Sequence, residues 1–236
     1  MFWRNLEMNK EQFLRTEMLL GTAAMERLAQ AHVAVFGLGG VGSWCAEALT
    51  RAGVGALTLV DHDQVGLTNL NRQAEATHTT LGWEKTEAMA ARLRDIHPQC
   101  VLHLIPEKYE PAHRERFFAV SYDYIVDAID LVSCKLDLIE TALAWGIPIL
   151  SAMGTGNKLD PSQFRVADIS KTEGCPLARV IRKELKKRGF STTRWFFPQN
   201  SPLRPSRERH PLPAGVPSPP AHLGYRRWRD SSWRAL

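Results

Sequence analysis

Short apolar runs alternate with amphipathic segments over the first 190 residues of this 236-residue chain. The runs His32–Phe36 and Ala56–Val60 are rich in apolar and β-branched residues, which is typical of strands buried on both faces. The segment between them has helical periodicity and short connections to both. This order predicts an α/β fold, namely a Rossmann-like doubly wound, mostly parallel sheet with helices on both faces.

The same alternation predicts the other elements. Two helices over residues 7–30, broken at Gly21 and with Thr22 as N-cap of the second, precede the first strand. Further strands are expected at 101–105, 124–129, 148–152 and 164–169, and further helices at 42–51, 85–96, 134–145 and 176–188. The predicted organisation is N-terminal helices (1–30), a Rossmann-like nucleotide-binding domain (31–190) and a tail (191–236).

The tail differs in composition from the rest of the chain. Residues 191–236 hold eight of the fourteen prolines and eight arginines but no lysine, so this segment carries the positive charge behind the high pI. Proline lacks an amide donor and does not extend helix or sheet interiors, so an irregular segment is expected. A bias to Pro, Arg, Trp and Ser is also what out-of-frame reading of a GC-rich gene produces. A frameshift near residues 190–195 is therefore a hypothesis.

Several classes of protein are disfavoured by composition. No apolar run reaches the roughly 18 residues of a membrane span, and the N-terminus lacks the apolar region of a signal peptide, so a cytoplasmic location is expected. The cysteines are scattered and form no C-x-x-C pair, which argues against a structural zinc site and against a disulfide framework. They are Cys45, Cys100, Cys134 and Cys175.

A glycine-rich loop follows the first predicted strand and opens the next helix. Its glycines are Gly37, Gly39, Gly40 and Gly42. Missing side chains let the backbone approach a polyphosphate, whose charge meets the amide groups at the helix start. Asp61 ends the second strand, where a carboxylate accepts hydrogen bonds from ribose hydroxyls. These features predict a nucleotide site but do not distinguish a dinucleotide from ATP.

The segment Asp61-His-Asp-Gln-Val-Gly-Leu-Thr-Asn-Leu-Asn-Arg-Gln73 resembles a long signature of the ubiquitin-activating-enzyme-like adenylating family. The resemblance extends over about residues 10–190. It implies ATP and Mg²⁺ as cofactors, and attack of a substrate carboxylate on a phosphoryl group of ATP.

The same resemblance implies roles for individual residues. Arg72 offers a planar fork of donors for charge that develops on phosphate oxygens. Asn69 and Gln73 are suited to orient phosphate or ribose by neutral hydrogen bonds. Lys85, which starts a helix after Gly82, matches the family's phosphate-contacting lysine; taken alone it would be interpreted as a solvated helix charge.

Two acidic residues close the fourth predicted strand. Asp130 matches the family's magnesium-binding aspartate, and a carboxylate is the hard oxygen ligand that Mg²⁺ prefers. Asp127 is either a second site residue or a structural cap. Arg15, in the leading R-x-x-x-L-L-G segment, matches an arginine that reaches the ATP site of the other subunit in this family, so the resemblance implies a homodimer.

Within the family, the segments RTEMLLG and SAMGTGNKLDP are most similar to the branch that acts on tRNA. This similarity implies ATP-dependent closure of the threonylcarbamoyl side chain of a tRNA adenosine into a cyclic form. A partner tRNA requires a basic surface, because cations contact RNA phosphates without reading sequence. The best candidate is the segment 176–188, although a solvated helix face explains it equally well; its basic residues are Arg179, Arg182, Lys183, Lys186, Lys187 and Arg188.

Two other functions stay open on the sequence. The first is an adenylyltransferase that activates the C-terminus of a ubiquitin-like sulfur-carrier protein, with a sulfur-transfer or cysteine-desulfurase-type protein as a further partner. The second is a redox-sensing module that binds NAD(P). Cys175 is a candidate acyl-accepting thiolate, but its neighbours give little reason for a depressed thiol pKa, so an inert thiol is favoured.

Overall fold

The computed structural model describes residues 2–156, 160–190 and 194–198. Its strands are β1 (His32–Phe36), β2 (Ala56–Val60), β3 (Val101–Ile105), β4 (Tyr124–Asp127), β5 (Ile149–Ala152), β6 (Phe164–Asp168) and β7 (Arg194–Pro198). They form one sheet in the order β3-β2-β1-β4-β5-β7-β6. The first five strands in this order are parallel, β7 is parallel to β5, and β6 is antiparallel to β7.

The helices are α1 (Phe2–Leu20), α2 (Thr22–Gln30), α3 (Gly42–Ala52), α4 (Lys85–Ile96), the single turn α5 (Arg114–Phe117), α6 (Val132–Ala144) and α7 (Pro176–Lys187). The predicted Rossmann-like fold is therefore confirmed. Strand β1 lies between β2 and β4, so the order of connection reverses there. In such sheets ligands bind beyond the carboxyl ends of the strands at this reversal.

Alternate residues of β1 belong to two different cores. Val33 and Val35 lie in a buried cluster with Met89 of α4. Ala34 lies in the other cluster, with residues of α6 and α7. Since successive strand residues point to opposite faces, helices cover both faces of the sheet, as the continuous apolar runs predicted.

The N-terminal helices meet at a glycine. Gly21, with a φ of 80°, is the N-cap of α2, whereas Thr22 is already the first helical residue. The Thr22 hydroxyl donates to the Glu17 carboxylate at 2.8 Å instead of accepting from the first turn. The prediction of Thr22 as N-cap is therefore wrong, because the left-handed conformation that reverses the chain requires the glycine at that position.

Helix α1 packs at the amino edge of the sheet. Phe13 borders Gly53, which follows α3, and the Gln12 amide donates to the carbonyl of Ile96 at the end of α4. Helices of this fold end where the next strand begins, so α1 lies on the opposite edge from the glycine loop. No helix within the described ranges is long and apolar enough to cross a membrane.

One strand lies within the segment expected to be irregular. Residues 194–198 form β7 and pair with β5 and β6, so the expectation of an irregular segment from residue 191 does not hold for these five residues. Residues 199–236, the rest of the predicted tail, lie outside the described part of the chain.

Candidate active site

The glycines of the loop divide into two pairs. A Cβ on Gly37, whose φ is 89°, would lie 2.8 Å from the carbonyl oxygen of Ala128, and one on Gly42 would lie 1.8 Å from the carbonyl oxygen of Gly37. These two glycines are required by the turn itself. A Cβ on Gly39 would have no other atom within 4 Å, and the atom nearest to a Cβ on Gly40 would be in the flexible side chain of Arg72, at 3.2 Å. This second pair leaves the backbone open to a ligand.

Asp61 holds the glycine loop in place. Its Oδ2 accepts a hydrogen bond from the amide of Leu38 at 2.6 Å, and its Oδ1 accepts one from the amide of Asp63 at 2.9 Å. A carboxylate has about four acceptor positions, so it retains capacity for ribose hydroxyls. Asp61, which is predicted to bind ribose, thus also links the loop after β1 to the end of β2 by hydrogen bonds.

Lys85 begins α4 and turns its ammonium group towards these carboxylates. Its Nζ lies 2.9 Å from Oδ2 of Asp63 and 3.9 Å from Oδ1 of Asp61, and the residue is only 5% exposed. Burial alone would raise the pKa of Asp63, but the hydrogen bond and charge of Lys85 outweigh it and hold that pKa below its ordinary value. A buried cation therefore lies beside Asp61 and Asp63, at the carboxyl edge of the sheet.

Asp63 is a residue that the sequence analysis did not assign. The second aspartate of the Asp-His-Asp segment was the available signal. Asp61, His62 and Asp63 also form the group of potential metal ligands found among the described residues, with ligand atoms within 4.8 Å of one another. The ammonium of Lys85 already contacts two of these three side chains.

The loop after β2 carries the predicted phosphate and ribose contacts. Arg72 is exposed, and its Nη1 donates to the carbonyl of Thr68 at 2.9 Å and to the side chain of Asn71 at 3.0 Å. Asn69 accepts from the amide of Gly66 at 2.8 Å, which shapes the loop. Gln73 is buried, and its Oε1 has no hydrogen-bond partner among the described residues. Of these residues, Arg72 offers its donors to solvent.

Two residues of the first turn of α3 join this loop to the glycine loop. Ser43 is buried; its hydroxyl donates to the carbonyl of Gly39 at 2.7 Å and accepts from the amide of Ala74 at 3.1 Å. The indole of Trp44 donates to the carbonyl of Arg72 at 2.9 Å. Neither residue was predicted from the sequence, although their position directly after Gly42 was a usable signal.

The two aspartates after β4 have different surroundings. Asp130 is exposed, and no ion pair involves it within the described ranges. Asp127 is fully buried. Its carboxylate accepts hydrogen bonds from the amide of Ile129 and from the hydroxyl of Ser151 at 2.6 Å, and it forms an ion pair with the ammonium of Lys135 at 2.8 Å. Of the two roles left open for Asp127, this geometry supports the structural one.

Glu75 is a buried carboxyl group that was not predicted from the sequence. It is 1% exposed, and neither of its oxygens has a hydrogen-bond partner in the part of the chain that the structure describes. Burial raises its pKa to about 7, although the charge of Lys85 acts in the opposite direction. No motif pointed to it, because its burial depends on the packing of its loop.

Arg15 is not brought to the site of its own chain. It is exposed on α1, which contacts the ends of α3 and α4 at the amino edge of the sheet. The glycine loop, Asp61 and Lys85 lie at the carboxyl edge. A role for Arg15 in catalysis therefore requires the site of a second copy.

The candidate RNA surface on α7 is smaller than its sequence suggested. The Arg182 side chain is partly buried and donates to the carbonyl of Thr172 at 2.6 Å, while Arg188 pairs with Glu140 at 2.9 Å. Lys187 pairs with Glu184. Within the segment 176–188, the exposed basic residues that form no ion pair with another described residue are Arg179, Lys183 and Lys186.

Cys175 precedes α7 and is enclosed. It is 5% exposed, and its sulfur accepts a hydrogen bond from the amide of Ala178 at 3.5 Å. A Cβ on Gly154, just beyond β5, would lie 3.4 Å from that sulfur. The thiol thus lies near the carboxyl edge of the sheet but not on an open surface.

Comparison with known proteins identifies the family. Residues 13–191 match the ThiF family. The chain is 43% identical over 193 residues to the tRNA threonylcarbamoyladenosine dehydratase of Bacillus subtilis (strain 168), which covers 81% of this chain and 76% of that protein. The structure of E. coli tRNA N6-threonylcarbamoyladenosine dehydratase in complex with ATP matches with a TM-score of 0.80 and 38% identity, over 83% of this chain and 84% of that one.

The likeness to sulfur-transfer enzymes is weaker. An adenylyltransferase and sulfurtransferase, MOCS3, of Drosophila willistoni is 33% identical over 140 residues, which cover 59% of this chain and 30% of that protein. Higher identity over more of both chains favours the dehydratases over this alternative. By its sequence, its fold and its crevice, this chain belongs to the ThiF family.

Proposed function

We propose that this protein is an ATP-dependent dehydratase that activates the carboxylate of a threonylcarbamoyl side chain on a tRNA adenosine and closes it to the cyclic form. The observation that carries the proposal is the similarity to the E. coli dehydratase in complex with ATP over 83% of this chain. The crevice agrees with this chemistry, since its open glycines, Asp61 and Lys85 suit a nucleotide polyphosphate.

The residues act mainly by position and charge. A carboxylate oxygen bonds to a phosphorus of ATP while the bond from that phosphorus to its leaving phosphate group breaks. Negative charge grows on the phosphate oxygens, where the Lys85 ammonium and the Arg72 guanidinium stabilise it. A nucleophile within the same side chain then attacks the activated carbonyl, which releases AMP or phosphate together with a proton. The net change is loss of water from the side chain.

Asp130 is the residue proposed to hold Mg²⁺. It is an exposed carboxylate beside the crevice, and none of the described cations pairs with it. Mg²⁺ takes one or two carboxylates and fills its other positions with water and phosphate oxygens, which a single aspartate satisfies. When bound, the ion would neutralise charge on the phosphates. Asp127 is not available for this role, because Lys135, Ser151 and Ile129 already use its oxygens.

A homodimer is the assembly that would bring Arg15 to a site. Leu14, Met18 and Leu19 of α1 are 52%, 74% and 86% exposed, so this helix presents apolar side chains that a second copy would cover. The proposal has a direct test by complementation. Arg15→Ala and Lys85→Met proteins, each inactive alone, are mixed in equal amounts and allowed to exchange subunits.

If Arg15 acts on the other subunit's site, each mixed dimer contains one intact site. Random exchange then restores about a quarter of wild-type turnover. Restored activity is the expected result, and mixing without any recovery, when exchange is demonstrated by mass spectrometry, contradicts the shared site.

Conversion of modified tRNA tests the function itself. Purified protein is incubated with ATP, Mg²⁺ and tRNA that carries threonylcarbamoyladenosine, and the digested nucleosides are analysed by mass spectrometry. We expect a nucleoside lighter by one water, formed only with ATP. Adenylation of a sulfur-carrier C-terminus without any cyclised nucleoside would support the adenylyltransferase, and tight NADH binding without ATP binding would support a redox sensor.

The protein's wider context follows from this substrate. We propose that it works in the cytoplasm, where tRNA is modified, and that Arg179, Lys183 and Lys186 contact RNA phosphates. Charge reversal at these three positions should weaken tRNA binding and reduce its salt dependence, with ATP binding unchanged. A sulfur-transfer or cysteine-desulfurase-type protein is the further partner that affinity purification would test.

The frameshift hypothesis also stays a proposal. Its support is the composition of the tail and the end of the family match at residue 191. Resequencing of the locus tests it directly. An uninterrupted reading frame, together with tail peptides detected by mass spectrometry, would exclude a frameshift.

A further inference from the structure

A tryptophan stands half in solvent beside the candidate active site. Trp44 lies in the first turn of α3 and is 52% exposed. Its indole Nε1 donates to the carbonyl oxygen of Arg72 at 2.9 Å. The hydrogen bond holds the ring against the backbone of the residue that carries the exposed guanidinium.

The backbone on either side of Trp44 is held by buried neighbours. The preceding residue, Ser43, bonds both to the carbonyl of Gly39 and to the amide of Ala74, and it is completely buried. Ala46, two residues after Trp44, is also completely buried. An aromatic ring fixed in this way loses little conformational freedom when a ligand packs on it.

The chemistry of the substrate limits where its base can lie. In threonylcarbamoyladenosine, a carbamoyl group and one Cα separate the purine N6 from the reacting carboxylate, a span of about 6 Å by standard bond lengths. The purine ring must therefore stay close to the phosphates of ATP during the attack. A group that binds this ring has to stand next to the residues that bind phosphate.

We propose that the exposed face of Trp44 is the stacking platform for the purine ring of the modified adenosine, an inference that rests on the proposed function. Proteins bind unpaired RNA bases by stacking them on aromatic side chains. Every base has a π face, so stacking on Trp44 contributes affinity for any base. Specificity for the modified adenosine comes from the carboxylate of its threonylcarbamoyl side chain. In this proposal Trp44 binds the purine of the substrate, while the neighbouring Arg72 binds the phosphates of ATP.

A second tryptophan provides a matched control. Trp145, at the end of α6, is 53% exposed, almost as much as Trp44. Its ring packs edge-on against that of Phe118, with 4.8 Å between the ring centroids, at the amino edge of the sheet. Trp145→Phe therefore makes the same chemical change on an equally exposed ring far from the crevice.

The test compares Trp44→Ala, Trp44→Phe and Trp145→Phe in steady-state cyclisation of tRNA that carries threonylcarbamoyladenosine. Loss of one stacked base should raise the KM for this tRNA in Trp44→Ala about tenfold or more. The KM for ATP should stay within about twofold of wild type. Trp44→Phe keeps an aromatic face but loses the N–H, so its KM for tRNA should rise less than in Trp44→Ala. Trp145→Phe should match wild type.

Other outcomes overturn the proposal in distinguishable ways. If wild-type protein cyclises the tRNA and Trp44→Ala has the wild-type KM for it, the platform is refuted and the proposed function stands. If both Trp44 variants raise the KM for ATP equally, the tryptophan acts only by supporting the Arg72 loop. If wild-type protein forms no cyclic nucleoside, the proposed function fails, and the platform fails with it.

Discussion

Two lysine–aspartate pairs of nearly equal length occupy very different places in this fold. The Lys135 ammonium lies 2.8 Å from Asp127, and the Lys85 ammonium lies 2.9 Å from Asp63. Both lysines are buried. Their partners differ, since the side chain of Asp127 is 0% exposed and that of Asp63 is 54% exposed.

The difference in exposure separates a structural pair from the pair at the proposed active site. The carboxylate of Asp127 is surrounded by Lys135, Ser151 and the Ile129 amide, so the pair fixes the end of β4. The side chain of Asp63 is open to solvent, and the proposed function requires Lys85 to exchange this partner for phosphate oxygens. Ion-pair distance alone does not distinguish the two, whereas access to solvent does.

Breaking the enclosed pair should have the largest effect. In Lys135→Met, the Asp127 carboxylate remains buried without its cation, and removal of one partner of a buried pair costs about 3–5 kcal/mol in the free energy of unfolding. Denaturant titration measures the loss. The double variant Asp127→Asn/Lys135→Met removes both charges and should recover part of it; equal loss in single and double variants would contradict the pairing.

Breaking the open pair should affect catalysis more than stability. Lys85→Met keeps much of the side chain's volume but removes the charge that stabilises the phosphate oxygens, so kcat should fall by about 10²–10³-fold. The free energy of unfolding should change by less than in Lys135→Met. Turnover and denaturation of both variants, measured side by side, test whether the two lysines differ in this way. Unchanged turnover in Lys85→Met would refute the proposed site.

Glu75 shows what a buried carboxyl group does without a lysine partner. Its pKa is about 7 in the folded chain against 4.5 as the ordinary value, so between these pH values the folded state binds more protons than the unfolded state. The free energy of unfolding should therefore fall by about 3 kcal/mol as pH rises from 4.5 to above 7.

Glu75→Gln removes this titration. Denaturant titrations of both proteins at pH 5 and pH 8 should show the variant gaining stability relative to wild type at the higher pH. Glu87→Gln, an exposed substitution in the first turn of α4, is the matched control and should leave the pH dependence unaltered. The same slope in Glu75→Gln and wild type would show that Glu75 is not protonated in the folded chain.

The smallest effect is expected at the exposed aspartate. Asp63→Asn should lower the free energy of unfolding by no more than about 1 kcal/mol, because the Asp63 carboxylate is half exposed and Asp61 still lies 3.9 Å from the Lys85 ammonium. Asp127→Asn, the same substitution in the enclosed pair, should cost several times more. Since salt screens exposed charges, 1 M NaCl should reduce the effect of Asp63→Asn but not that of Asp127→Asn. Equal costs for the two substitutions would show that exposure of the carboxylate does not set the strength of these ion pairs.

Local sequence patterns were enough to predict the helices, the strands and the kind of site. The bounds predicted for β1, β2, β3 and α4 agree with the structure, because apolar periodicity is a local property. The glycine loop was identified for the same reason, since Gly37 and Gly42 are required by the turn they make. Resemblance then supplied the ligand ATP, which glycine spacing alone did not.

Which polar residues are enclosed and which are exposed depends on contacts between distant parts of the chain. The structural role of Asp127 depends on Lys135 and Ser151, and the burial of Glu75 depends on the packing of its loop. Trp44 meets Arg72 across 28 positions of sequence. Burial and ion pairing depend on residues far apart in the chain, so a local sequence pattern does not predict them. These two properties are what distinguish the two lysine–aspartate pairs.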